Sequence, residues 1–266
     1  SFLVQQRLNH WYSVKGVDAL FCGGESLITI YNHPNFEFVI GDLRDSKFID
    51  SVLPEVTDII HLAAIVGDPA CAKQPELAKE INWSASKNIF DKAKNSGIER
   101  FIFASTCSNY GKMQGDDFVN EQSPLNPVSL YAELKVKFES YLLESETNST
   151  FSPTALRFST VYGLSPRMRF DLTVNEFIRD ALLNKKLEIF GEQFWRPYCH
   201  VDDLASSCIL VLESPVEYVR KNVFNVGDTS QNFQKKMIAE EIQKLIPDAN
   251  IIYVQKNEDP RDYKVD

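Results

Sequence analysis

The chain has 266 residues, 44% of them hydrophobic and 24% charged, enough for one large α/β domain or two closely associated ones and too apolar for disorder. A formal net charge of −9, with no cluster of Lys and Arg, argues against a nucleic-acid-binding surface, which needs concentrated positive charge to neutralise phosphates. Five scattered cysteines without CxxC spacing or paired histidines argue against a disulfide or zinc framework and for a reducing cytoplasm, and no 18-residue apolar run or basic-apolar leader points to a membrane partner or to secretion.

In chain order, residues 2–10 read as a helix, and YSVKGVD (12–18) as a strand that carries Asp18 to its carboxyl end. Strand-length apolar runs recur at 36–42 (FEFVIGD), 58–64 (DIIHLAA), 100–106 (RFIFAST) and 154–160 (TALRFST). Helical segments lie between them, clearest over 74–97, with Pro75 at the start and Gly97 at the end. After residue 160 the alternation loosens: a helix (TVNEFIRDALLNKK), a strand (LEIFG), a helix from Asp202 in which a carboxylate caps the start, a strand (VFNVG) and a helix from Phe233. Strand and helix in alternation predict a doubly wound parallel sheet over 1–160. Residues 161–266 form a smaller interleaved lobe, with strands from about 196–228 returning to the sheet.

Nearly every predicted strand ends in small or polar residues: Asp18, Gly41-Asp42, Ala63-Ala64, Ser105-Thr106 and Ser159-Thr160. Ligands of open parallel sheets bind beyond the carboxyl ends of the strands, so these residues are candidates for a site. Tyr131 and Lys135 stand four apart in LYAELKVKFESYLLE and share one helix face. One accidental YxxxK, on the order of one per chain of this composition, proves little. Here, though, both residues fall on or beside the apolar stripe of Leu134, Phe138, Tyr141 and Leu142, where amphipathic patterning alone would not put a lysine. A buried ammonium beside a phenol is expected to lower the phenol's pKa by about 1–3 units and make Tyr131 an acid/base near neutrality; the alternative is a core tyrosine with a snorkelling lysine. Ser105-Thr106, at a strand end upstream, offers a hydroxyl that could share the substrate oxygen with Tyr131.

These motifs, together with GDLRD (41–45), HLAA (61–64), Asn82 in INWSASKNIF, ASTCSNYG, NPVSLYAELK, LRFSTVYG, WRPYCHVDD, FNVGD and DPRDYKVD (259–266), resemble the NAD-dependent epimerase/dehydratase family, the extended branch of the short-chain dehydrogenases/reductases. The resemblance implies a Rossmann-type sheet, NAD as cofactor, a nucleotide-diphosphate sugar as substrate, and a homodimer built on the helices at 74–96 and 131–145. It implies that Asp18 binds the adenosine ribose, that Asp42 and Leu43 flank adenine, that Ala63 and Ala64 let the cofactor approach the sheet, and that Asn82 and Ser105 also line the cofactor site. Tyr131 would exchange the sugar hydroxyl proton, Lys135 would hold the nicotinamide ribose, and Thr106 would orient the substrate oxygen. Arg196 and Arg261 would clamp the diphosphate, with Asn175, Arg167 and Arg169 as weaker substrate contacts. His200, Asp202 and Asp203 read as structural, with no metal spacing.

Two departures matter. Family dehydratases follow the strand-end Thr with Asp-Glu, whereas this chain has Cys107 and Ser108. That leaves oxidation and reduction at one carbinol, as in a 4-epimerase, with a ketoreductase or a non-catalytic member of the fold as alternatives. The first strand and GxxGxxG turn have no counterpart before Asp18. The expectation is therefore a fragment that binds NAD poorly, with a gap between the strands ending at Asp18 and Ala64.

Overall fold

A computed structural model describes residues 2–9, 12–113, 115, 117–259 and 261–266. His10, the expected end of the first helix, and Pro260, within the DPRDYKVD motif, lie outside the described residues. The first part of the chain comprises α1 (Phe2–Asn9), β1 (Val14–Asp18), β2 (Phe36–Ile40), α2 (Ser46–Val52), β3 (Asp58–His61), α3 (Asp68–Lys73), α4 (Pro75–Lys79), α5 (Ser86–Ala93), β4 (Arg100–Thr106), α6 (Leu130–Glu144), β5 (Ser152–Phe158) and β6 (Thr160–Tyr162). The remainder comprises α7 (Thr173–Asn184), β7 (Lys186–Phe190), β8 (Trp195–His200), α8 (Val201–Glu213), α9 (Val216–Val219), β9 (Val223–Val226), β10 (Asn232–Gln234), α10 (Lys235–Leu245) and β11 (Asn250–Val254).

Parallel strands β3-β4-β5-β9 form the main sheet, and β1 and β2 form a separate parallel pair. Among the described residues no ladder joins β1 to β3, so the sheet is interrupted at the expected place. The alternation of β4 sorts its side chains between two cores. Phe101 and Phe103 turn toward α2, α5 and α6, where Ile49, Phe90, Phe138 and Leu142 meet them. Ile102 turns toward α8 and α9, packing with Leu156, Cys208, Val211 and Val219. Each such buried Phe or Leu contributes about 1.5–3 kcal/mol of burial free energy, which fixes the register of β4 and so the position of its carboxyl end.

Several expected elements differ in detail. The helix over 74–97 runs as α4, a π-helical segment Glu80–Ala85, and α5. The run TALRFST breaks at Ser159 into β5 and β6, because Ser159 N bonds to Val226 O while β6 pairs with β8 instead of the main sheet. Of the stretch 196–228, only β9 returns to the main sheet; β8 joins β6 and β10 in a separate three-stranded sheet. Phe233 lies in β10, pairing with Arg196, and not in a helix. A further core gathers Phe177, Leu187, Ile189, Tyr198, Ile238 and Ile242. The cap before α8 is the His200 imidazole, whose Nδ1 accepts from Asp202 N at 3.3 Å, and not a carboxylate. Asp202 and Asp203 instead occupy the first turn, where the helix dipole favours negative charge. The helices expected to pair in a dimer carry no large exposed apolar side chain among the described residues. No helix of the described residues is long and apolar enough to cross a membrane.

Candidate active site at the carboxyl edge of the main sheet

The site is built around the first turns of α6. Ser129 starts the helix, its Oγ accepting from Ala132 N at 3.3 Å, and this cap fixes the orientation of the turn that carries Tyr131. Tyr131 packs against Cys71, Ala78 and Leu134, and its phenol interacts with the Thr106 side chain at the end of β4. One turn on, Lys135 is buried, with Nζ donating to Ala104 O at 2.6 Å and standing 4.6 Å from the Phe103 ring centroid and 5.9 Å from that of Tyr131. The structure thus brings Thr106, Tyr131 and Lys135 together. The Thr106 Oγ1 also accepts from Ser108 N at 3.1 Å, which orients its hydroxyl at the strand end.

The expected direction of the tyrosine shift is reversed. Burial raises the Tyr131 pKa, Cys71 and Asp68 add to the rise, and Arg169 and Thr106 work against it. The same burial pulls the Lys135 ammonium down to about 7. With no carboxylate beside it among the described residues, the lysine's charged form is disfavoured in the apolar surroundings. His61, at the end of β3, follows the same logic: burial lowers its imidazole to about 3, and it sits among Phe101, Phe103 and Phe138 with Nε2 2.8 Å from Ser86 Oγ.

Behind this triad lies a dense polar network. Ser105 Oγ donates to Glu139 Oε2 at 2.5 Å, Asn109 Nδ2 donates to the same oxygen at 3.3 Å, and Arg157 Nη2 donates to Glu139 Oε1 at 2.6 Å. Arg157 also donates to Tyr110 Oη at 2.8 Å, and Tyr110 donates to Asn225 Oδ1 at 2.7 Å. Ser105 is therefore turned into the core and held there, away from the sheet edge. Glu139 and Arg157 were not singled out from sequence. The available signal was Glu139, eight residues after Tyr131 on the face that carries Lys135.

The other predicted residues fall in three places. At the two-stranded sheet, the exposed Asp18 carboxylate accepts from Leu20 N at 2.6 Å, in a turn where Leu20 has φ 56°. Asp42 grips Arg44 with contacts of 2.6–3.1 Å, and this pairing holds its carboxyl below the usual range; Arg44 also reaches Glu80 at 3.1 Å. Leu43 packs on the main core, and a Cβ at Gly41 would lie 2.0 Å from Phe48 Cζ, so only glycine fits there. Beyond β3, Ala63 is exposed and Ala64 half-buried, while Asn82 holds the loop from below through Ile65 N (2.8 Å) and Ile65 O (2.9 Å). Asn82 thus shapes the loop that carries the two alanines.

Farther along the chain, Arg196 is buried in a 2.9 Å ion pair with Asp259, and Arg261 Nη1 pairs with Asp68 Oδ2 at 3.1 Å while its Nε lacks a partner among the described residues. Asn175 joins Gly163 N (3.3 Å) to Arg169 O (3.2 Å). Arg169 is held by Asp171 at 2.6 and 2.7 Å, and the charge of Arg167 helps hold the Asp171 carboxyl below its usual range.

A family model of the NAD dependent epimerase/dehydratase family matches residues 1–227. This chain belongs to that family. The cofactor of the family is NAD, and the Rossmann-type α/β fold is its fold. The UDP-glucose 4-epimerase of Lactobacillus helveticus is 24% identical over 266 aligned residues, covering 92% of this chain and 78% of that protein. An uncharacterized UDP-glucose epimerase, YtcB, of Bacillus subtilis is 31% identical over 219 residues, 81% of this chain and 66% of its own length. Among solved structures, the UDP-N-acetylglucosamine 4-epimerase of Methanobrevibacter ruminantium, in complex with UDP-N-acetylmuramic acid, superposes with a TM-score of 0.88 at 24% identity, covering 100% of this chain and 84% of that one.

The residues present fit part of an NAD site. The buried Lys135 has a single backbone acceptor among the described residues although its ammonium has three donors, which leaves capacity for a ribose hydroxyl. The exposed Asp18 at a strand end is placed for a second ribose.

Proposed function

We propose that the protein is a nucleotide-sugar epimerase acting at one carbinol, 4-epimerase-like in its chemistry, with residues 1–160 as its cofactor half and 161–266 as its substrate lobe. The observation that carries this reading is the convergence of Thr106, Tyr131 and Lys135 beyond the end of β4, where parallel sheets bind ligands.

NAD, when bound, supplies a reversible hydride acceptor and a positive ring. The chain's own residues manage the proton. Tyr131, its phenol raised by burial, holds its proton in the ligand-free chain and so is ready to donate to a ketone oxygen. In the opposite direction the Tyr131 phenolate left by that donation takes the proton of the sugar hydroxyl, and Lys135, with a pKa of about 7, gains or loses positive charge one turn away. Thr106 lies against the phenol and is placed to donate to the same substrate oxygen. Asp18 is placed for the adenosine ribose, and Arg261, with an unsatisfied buried Nε, has donor capacity for a phosphate oxygen.

The residues after Thr106 speak against elimination. Cys107 is fully buried, donates to Arg157 O at 3.1 Å, and burial pushes its thiol up to about 12, so it offers no acid or base for removing water. The experiment is incubation with NAD and a panel of UDP- and dTDP-sugars, read by NMR. An epimer formed without net accumulation of reduced cofactor supports the reading; stoichiometric NADH with no epimer, or loss of water, overturns it.

A further inference from the structure

The carboxylate of Asp68 occupies a position that neither the fold nor the proton chemistry above requires. It begins α3, and its Oδ1 accepts from Ser129 Oγ at 2.7 Å, the hydroxyl that caps α6 two residues before Tyr131. Its Oδ2 pairs with Arg261 Nη1 at 3.1 Å, and its side chain remains 26% exposed. Asp68 therefore touches the helix start that carries Tyr131 on one side and the opposing lobe on the other. Its charge reaches the phenol, raising the energy of phenolate.

A sugar whose hydroxyl is in hydrogen-bonding range of Tyr131 brings the rest of its ring close to this carboxylate. A carboxylate on that ring would face Asp68 as a like charge within a few Å, in a partly buried cleft where such repulsion is only weakly screened. The one further cation acting on the phenol, Arg169, is held by Asp171 through two contacts of 2.6 and 2.7 Å, and Arg261 is held by Asp68 itself. The free Arg261 Nε is assigned above to a phosphate oxygen, so a second anion has to compete with Asp68 or Asp171 for a cation already engaged. Neutral hydroxyls, acetamides and amines, by contrast, can donate to Asp68.

We propose that Asp68 is a specificity-determining residue that admits neutral and amino sugars and rejects uronates. The inference rests on the nucleotide-sugar reading above and refines its substrate class. The test is calorimetric titration of the NAD-loaded protein with UDP-glucose and UDP-glucuronate, for the wild type, Asp68→Asn and Asp68→Glu. The wild type is expected to prefer UDP-glucose on the order of tenfold or more. Asp68→Asn, whose amide oxygen still accepts from Ser129, is expected to bring the ratio toward one. Asp68→Glu, which restores the charge, keeps the preference, a result that a purely structural anchor would not give. Equal affinities in the wild type, or an unchanged ratio in Asp68→Asn, overturn this inference alone. Failure of both sugars to bind overturns the nucleotide-sugar reading and the inference with it.

Discussion

One turn apart on α6, Lys135 and Glu139 are buried alike, at 3% and 2% exposure, yet the protein treats them differently. Glu139 is saturated: Arg157 meets it through Nε and Nη2, and Ser105 and Asn109 donate from the other side. Lys135 has one backbone carbonyl among the described residues and no carboxylate. A buried charge with a full set of partners holds structure in place, whereas a buried cation without one carries a standing cost that only a ligand, or loss of its proton, relieves. The difference separates scaffold from site along a single helix face.

The sharpest way to break that comparison is to remove the scaffold half. Glu139→Ala leaves the Arg157 guanidinium buried without its anion and is expected to cost about 3–5 kcal/mol in urea unfolding; a cost below about 1 kcal/mol would mean that the network is not a stabilising unit. Lys135→Met tests the other half. The lysine's folded pKa of about 7 lies below its unfolded value of ~10.4, so the unfolded chain binds more protons between them. Wild-type stability is then lost as pH falls from ~10 toward 7, with a slope approaching ~1.4 kcal/mol per pH unit, and Lys135→Met lacks that slope. Identical pH profiles for the two proteins would show that Lys135 keeps its ordinary pKa. The smallest effect is at the end of β8, where His200→Ala removes the α8 cap and the edge contact with the Tyr162 ring and should cost about 0.5–2 kcal/mol in the same assay.

Much of this arrangement was legible in the sequence, because strand ends and the Tyr131-Lys135 spacing are local patterns. Alternation marked β4 and its polar end, and the four-residue spacing put the tyrosine and lysine on one face. What was not legible depends on partners far away in the chain. The rise at Tyr131 comes from burial together with Cys71 and Asp68, about 60 residues upstream, so a reading based on its neighbour Lys135 alone took the wrong sign. The partner of Ser105 was hidden for a similar reason: its hydroxyl donates to Glu139, 34 residues on. The return of only β9 to the main sheet was hidden because the sheet a short strand joins is set by pairing and not by pattern: β8 (WRPYCH) pairs with β6 and β10, and β9 (VFNV) with β5.

The central claim is that Tyr131 transfers the proton at the substrate carbinol, and Tyr131→Phe tests it most directly. The account predicts that epimer formation, followed by NMR with NAD present, falls by roughly 10²–10⁴-fold while the unfolding midpoint and nucleotide-sugar affinity stay near wild type. A Tyr131→Phe protein that turns over at the wild-type rate would contradict it.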